Sequence, residues 1–185
     1  MTESIIRADS MDEVTSILSQ EFADGVFEYN AQILYKGRTA LLYIDIDPGG
    51  GFESGYESTS LKCRLEHDPG FKLAIHHETL IDGIGKFFGM QDIEIGYEEF
   101  DKQVVVKSDN EKKVKELFSD PKVRKLFAGL HRYNLHIVHH PLEGEEKKAA
   151  FLEFFIEEGV TDALRLAEIF SAFYSVLEVI DPIPS

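Results

Sequence analysis

A single cysteine, Cys63, among 185 residues leaves no intramolecular disulfide framework open to this chain. No stretch approaches the ~18 consecutive apolar residues of a membrane-spanning helix. Basic residues are scarce: 19 Lys and Arg stand against 34 Asp and Glu, a net charge of -15. Such a surface repels phosphate backbones and anionic lipid, so neither nucleic acid nor a membrane is expected as a partner. The opening residues, Met1-Thr2-Glu3-Ser4-Ile5-Ile6-Arg7, lack a basic region followed by a long apolar run, so no signal peptide is expected. Tryptophan is absent, whereas 14 Phe point to a Phe-rich core. These limits predict a soluble, cytoplasmic, acidic protein whose length suits one domain, 1–185.

Two chemical signatures are also missing. No Gly-x-Ser-x-Gly elbow is present to expose a nucleophilic serine. Gly83-Ile84-Gly85-Lys86 lacks the Gly-x-x-x-x-Gly-Lys-Ser/Thr spacing that cradles phosphates, and Gly89 falls too late for a dinucleotide fingerprint. The plainer reading is a helix over Leu80 to Phe88 that lets another backbone come close. No cofactor is implied.

What is present reads as alternating helix and strand. Ser10-Met11-Asp12-Glu13 has the form of a capping box, and Val14, Ile17, Leu18 and Phe22 recur at helical spacing, predicting a helix over 11–22. A strand-like region follows. Phe27 and Tyr29 start a run that turns near Asn30, and a second turn falls at Lys36-Gly37. Leu41 to Asp47 is broken by Pro48-Gly49-Gly50-Gly51. Leu61 to Glu66 alternates with period two, and Asp68-Pro69-Gly70 turns into a strand at Phe71 to His76. Such short returns favour antiparallel pairing.

Residues 92–111 read as strand, tight turn at Gly96, strand over 99–107, then a helix capped by Ser108 with Glu111. Asp120-Pro121 begins another short helix through Val123, Leu126, Phe127 and Leu130. Two strands, Tyr133 to His140 and Ala149 to Glu158, flank a charged loop, and Gly159 ends the second. Thr161 is read as the cap of a last helix with Asp162 in its first turn. In that helix Ala163, Leu166, Ala167, Ile169, Phe170, Phe173, Tyr174, Val176, Leu177 and Ile180 form one apolar arc of roughly 180°. An arc that wide belongs across a sheet face or in a subunit interface.

Histidines offer the first candidate site. On a strand, His136 and His140 share a face, and His139 faces the other side. Two imidazoles make half of a four-ligand zinc site, so His136 and His140 are the candidate metal ligands. His76 or His77 could complete the set if the strands pair. The plainer reading is a row of sheet-surface histidines, with no stoichiometric zinc. Asp45 and Asp47 share a face with Tyr43 ahead of the Gly-rich loop, a pair suited to a hard cation or to acid–base work. Its plainer reading is a solvent face. Cys63 alternates with Leu61 and Leu65 and reads as a small core residue, not as a reactive thiol.

The run Ile95-Gly96-Tyr97-Glu98-Glu99-Phe100-Asp101-Lys102-Gln103-Val104-Val105-Val106 resembles an Ile-Gly-Asp-x-x-Phe-Asp-x-x-Phe motif of an uncharacterised bacterial family, a domain of unknown function. The likeness spans about 92–127. Tyr97 stands where that motif has Asp, and Val104 where it has an aromatic. The resemblance implies a bacterial protein and brings no catalytic residue. On the residues alone, Gly96 makes the turn, Phe100 anchors it and Asp101 bonds nearby backbone.

The resulting expectation is an α+β fold: a mostly antiparallel sheet, a helix toward each end of the chain, and short helices between two strand-rich halves. Functionally, the composition favours a non-enzymatic binding or assembly domain, with a protein partner or a second copy as its contact. The rival is a metal-assisted hydrolase using the clustered His and acidic residues. The first calls for scattered histidines and an exposed apolar patch; the second calls for three or more His, Asp or Glu converging in one cleft.

Overall fold

The computed structural model describes residues 3–50, 54–78, 89–142, 144 and 148–183. Among them lie nine strands and five helices in a mostly antiparallel α+β arrangement. The helix expected over Leu80 to Phe88, with its Gly-Ile-Gly-Lys run, lies outside the described residues. The fold groups into two compact units: Met1–Cys63 with Phe155–Ser171, and Arg64–Phe154 with Ala172–Ser185.

In the first unit, strand β1 (Ser4–Ala8) precedes helix α1 (Met11–Glu21) and pairs in parallel with β2 (Glu28–Tyr35). The sequence reading did not name β1, whose five residues turn only Ile6 and Ala8 fully inward. Ser10 caps α1 by accepting from the Glu13 backbone N–H at 3.3 Å. Glu13 reaches back one residue farther than a standard capping box does, taking the Asp9 N–H at 2.8 Å. Val14 and Leu18 are fully buried on its inner face.

β2 runs straight through Asn30, which corrects the expected turn there. Tyr29, Ala31, Ile33 and Tyr35 alternate inward, so Asn30 is simply an outward residue of a continuous strand. The turn to β3 (Arg38–Asp47) is at Lys36-Gly37, where both residues have positive φ, 45° and 79°. A two-residue hairpin loop of that hand matches the strand twist, and glycine takes its second position without a side-chain clash. β4 (Tyr56–Arg64) completes the order β1-β2-β3-β4, placing Cys63 opposite Ala40 and Leu61 opposite Leu42. Gly159 sits so close to β3 that a Cβ there would lie 2.4 Å from Ile46 Cγ1.

Helix α5 (Ala163–Ile180) starts at Asp162, whose carboxylate accepts from the Arg165 N–H at 2.8 Å. Asp162 therefore caps the helix in place of the expected Thr161, because its oxygen reaches the third residue of the first turn. Every member of the predicted apolar arc is buried except the half-buried Ala163. Within the first unit, Phe170 meets Tyr35 edge-on at 5.9 Å.

In the second unit the strand order is β9-β8-β5-β7-β6. β5 (Leu73–His77), buried along its whole length, lies between β7 (Val104–Ser108) and β8 (Tyr133–Pro141) and is antiparallel to both. β6 (Gln91–Asp92) is only two residues long. β9 (Lys148–Ile156), like α5, contributes residues to both units.

The stretch expected as the start of a strand at 99 is instead a helical turn, α2 (Glu98–Asp101). The cause is Asp101, whose carboxylate accepts the backbone N–H groups of Ile95, Gly96 and Tyr97 at 2.9, 2.8 and 3.0 Å. That capture curls the chain back, with Phe100 buried beneath it. Helix α3 (Glu111–Leu117) is capped by Asn110, which accepts from Lys113 N–H at 3.1 Å. Ser108 is the last residue of β7, and its hydroxyl is spent on Lys72 O and Asn110 N–H. Helix α4 (Pro121–Gly129) begins as expected at Asp120-Pro121. Arg124 stacks 3.6 Å over the Tyr97 ring and donates to the Ser119 carbonyl at 2.9 Å, tying α4 to the turn before α2. The core is aromatic, as 14 Phe without Trp suggested: Phe100, Phe118, Phe127, Tyr133 and Phe154 follow one another at ring separations of 4.7, 6.1, 5.6 and 6.1 Å.

Candidate functional site

The aromatic chain covers one face of the second unit's strands. The opposite face carries the chemistry. Register sets it: Ala74 stands opposite His136, and His76 opposite Asn134. Residues opposed across a β pair share a face, as do residues two apart along a strand. His76, Asn134, His136 and His140 are therefore neighbours on one surface. Lys107, opposite Ala74 on the other side, joins them and is tied to Asp92 at 3.1 Å.

Glu153 of β9 confirms the shared face of the two candidate ligands. Its Oε1 lies 2.7 Å from His140 Nε2, and its Oε2 lies 3.9 Å from His136 Nε2. His140 also rests against the Phe151 ring at 5.3 Å. Burial lowers the His136 pKa, while the Glu153 charge pulls it upward. His136 and His140 thus flank one carboxylate. Among the described residues, no group of three or more His, Cys, Asp or Glu is placed to hold a metal ion.

His76 is the most constrained member. It is 3% exposed, and its Nδ1 lies 3.1 Å from the His77 carbonyl oxygen. A carbonyl only accepts, so Nδ1 carries the proton and a neutral ring keeps a bare lone pair on Nε2. Burial lowers the His76 pKa, which favours that neutral form. Its Nε2 is buried and has no hydrogen-bond partner among the described residues, and the same holds for Oδ1 of Asn134 opposite. Two acceptor atoms are thus left open on adjoining strands.

The other histidines are dispersed. His77 points to the far side of β5, where its Nε2 meets His131 Nδ1 at 3.2 Å. Burial first, and the His131 charge second, lower the His77 pKa. His139 pairs with Asp68 at 3.0 Å, and His67 Nδ1 lies 3.5 Å from Asp181. Of the two histidines that could have joined His136, only His76 shares its face.

The remaining candidates lie in the first unit. Asp45 stands opposite Glu28 and Ser58, whereas Asp47 accepts from the Gly49 N–H at 2.9 Å and so shapes its own loop. Cys63 is 2% exposed, in line with a core role. The outward face of this unit carries a row that the sequence did not announce. Ile5, Gln32, Leu41 and Lys62 stand side by side across four neighbouring strands, with Ile5 52% and Leu41 44% exposed. Phe27, at 67%, is more exposed than either.

No family model, curated protein or solved structure matches this chain. Among the described residues no helix is long and apolar enough to cross a membrane.

Proposed function

We propose that this chain is a non-enzymatic binding or assembly domain of a cytoplasmic bacterial protein, acting on a small ligand, a protein partner or a second copy. The observation that carries this reading is the dispersal of the histidines. His67, His77, His139 and the His136–His140 pair each address a different neighbour, so among the described residues these histidines do not gather into one set of nucleophile, base and electrophile. The exposed apolar side chains of Ile5, Leu41 and Phe27 support the assembly side of the proposal. The bacterial origin rests on the motif at 95–106 alone.

One observation favours a second reading, a metal-assisted hydrolase: His136 and His140 both address Glu153. The two readings separate on purified protein. Elemental analysis, together with hydrolysis assays on ester, phosphoester and peptide substrates with and without added zinc, is expected to show no stoichiometric metal and no turnover. One equivalent of zinc with turnover, both lost in a His136→Ala/His140→Ala double variant, overturns the binding reading.

A further inference from the structure

The polar face of β5 and β8 has an imbalance. Its cation is in use, since Lys107 is paired with Asp92. Glu153 is engaged by His140 at 2.7 Å and faces His136 at 3.9 Å. Two acceptors on this face, the Nε2 lone pair of His76 and the Oδ1 of Asn134, are buried and without a hydrogen-bond partner among the described residues. A buried polar atom left unmatched gives up its hydration with nothing in return. Two such atoms, opposed in register on adjoining strands, make that cost local to one spot.

The His76 lone pair is fixed in place. The His77 carbonyl holds Nδ1–H, so Nε2 cannot become a donor without the ring taking a charge in a buried setting. Asn134, the register partner of His76, supplies the second buried acceptor through its amide oxygen. The complementary group must therefore bring hydrogen-bond donors. A positive charge on it is matched by Glu153 on the same face and by the chain's net charge of -15.

We propose that His76 and Asn134 form the floor of a site for an organic cation bearing N–H donors, an alkylguanidinium or alkylammonium group. His136 and Glu153 line the same face beside it. This rests on the reading of the chain as a binding domain and names the class of ligand it takes.

The test uses the whole chain and three probes that separate donor chemistry from charge and from metal binding. Methylguanidinium offers N–H donors with a positive charge, tetramethylammonium offers the charge alone, and zinc offers a Lewis acid. Thermal shift and calorimetry are expected to show saturable binding of methylguanidinium and none of tetramethylammonium. Asn134→Leu and His76→Leu should each weaken methylguanidinium by roughly tenfold or more, since each removes one acceptor to a charged donor.

Asn134→Leu should not melt much below the parent when no probe is present, because it removes a buried acceptor that had no partner to lose, whereas His76→Leu also gives up the Nδ1–H bond to the His77 carbonyl and is read by its probe affinity alone. Equal response to both cations, or unchanged methylguanidinium binding in both variants, overturns the proposal. So does a large fall in the melting temperature of Asn134→Leu without probe, which would show its oxygen already satisfied. Saturable zinc binding without any methylguanidinium response replaces the organic cation with a metal. Absent turnover together with absent methylguanidinium binding sinks the ligand class alone, whereas turnover sinks the binding reading itself.

Discussion

Asp101 holds the backbone N–H of Ile95 at 2.9 Å, six residues back along the chain. The same carboxylate takes the next two amides, so one side chain satisfies three consecutive donors. Asp101→Ala strips all three of their acceptor. Gly96 and Tyr97 are exposed and water replaces part of the loss, while Ile95 is buried. The expected cost is about 1–3 kcal/mol, with Asp101→Asn intermediate because it keeps one acceptor oxygen. Urea melts of the three proteins measure it. Equal midpoints for parent and Asp101→Ala would show that the carboxylate does not hold the turn.

Elements with a local chemical signal were legible in the sequence. Ser10 and Asp120 announce α1 and α4 because a cap acts within a few residues of itself, and Lys36-Gly37 announces its hairpin by its backbone preference. The failures came where the signal is split between positions. β1 has too few residues to show a period, and Asn30 resembles a turn residue until its inward neighbours Tyr29 and Ala31 are seen to alternate around it. At Asp162 and Asn110 the capping oxygen sits one or two residues past the one expected, because Asp162 and Asn110 lie three residues before the amides they accept from. The site divides in the same way. His136 and His140 could be placed on one face by strand spacing alone. The neighbourhood of His76 and Asn134 depends on register between β5 and β8, which no local pattern encodes.

Cys63 is 2% exposed and stands opposite Ala40, with Leu61 and Leu65 buried on the same side. A thiol reagent should therefore modify the native protein slowly and the denatured protein fast. The thiolate is the reactive form, and a buried apolar setting disfavours it. Timed labelling read by mass spectrometry is the measurement. Equal rates in both states would place Cys63 at the surface and reverse the register of β4.

Acid should weaken the fold through two buried histidines, His76 and His77, and the half-buried His136. His76, His77 and His136 all have pKa values lowered from 6.5, with burial as the largest cause. As pH falls through about 6.5, the unfolded chain takes up protons that the folded chain resists. The stability these residues contribute is thus present above that value and is lost as pH falls toward their folded values. Easing of the net charge of -15 on acidification acts in the opposite sense, so the clean readout is a difference. The melting temperature of His76→Leu should fall less than the parent's between pH 7.5 and 5.5. Parallel profiles would remove His76 from the account.

The last helix carries a long row of buried apolar side chains. Nine of the ten arc residues of α5 are buried within the single chain, and Phe173 is 1% exposed. The arc is therefore covered by the chain itself, whether or not a second copy joins elsewhere. Both compact units take residues from α5, so losing it removes core from each. Phe173→Ala should cost about 3–5 kcal/mol, a large part of the stability of an ordinary domain. Ending the chain after Thr161 removes the Asp162 cap and the whole arc, and should abolish soluble expression. The milder variant Phe173→Leu keeps most of the volume and should remain folded with a lower denaturation midpoint. A truncated chain that is soluble and monomeric, melting cooperatively near the parent's temperature, would show that α5 is dispensable to the core. A Phe173→Ala variant as stable as the parent would move Phe173 out of the packed interior.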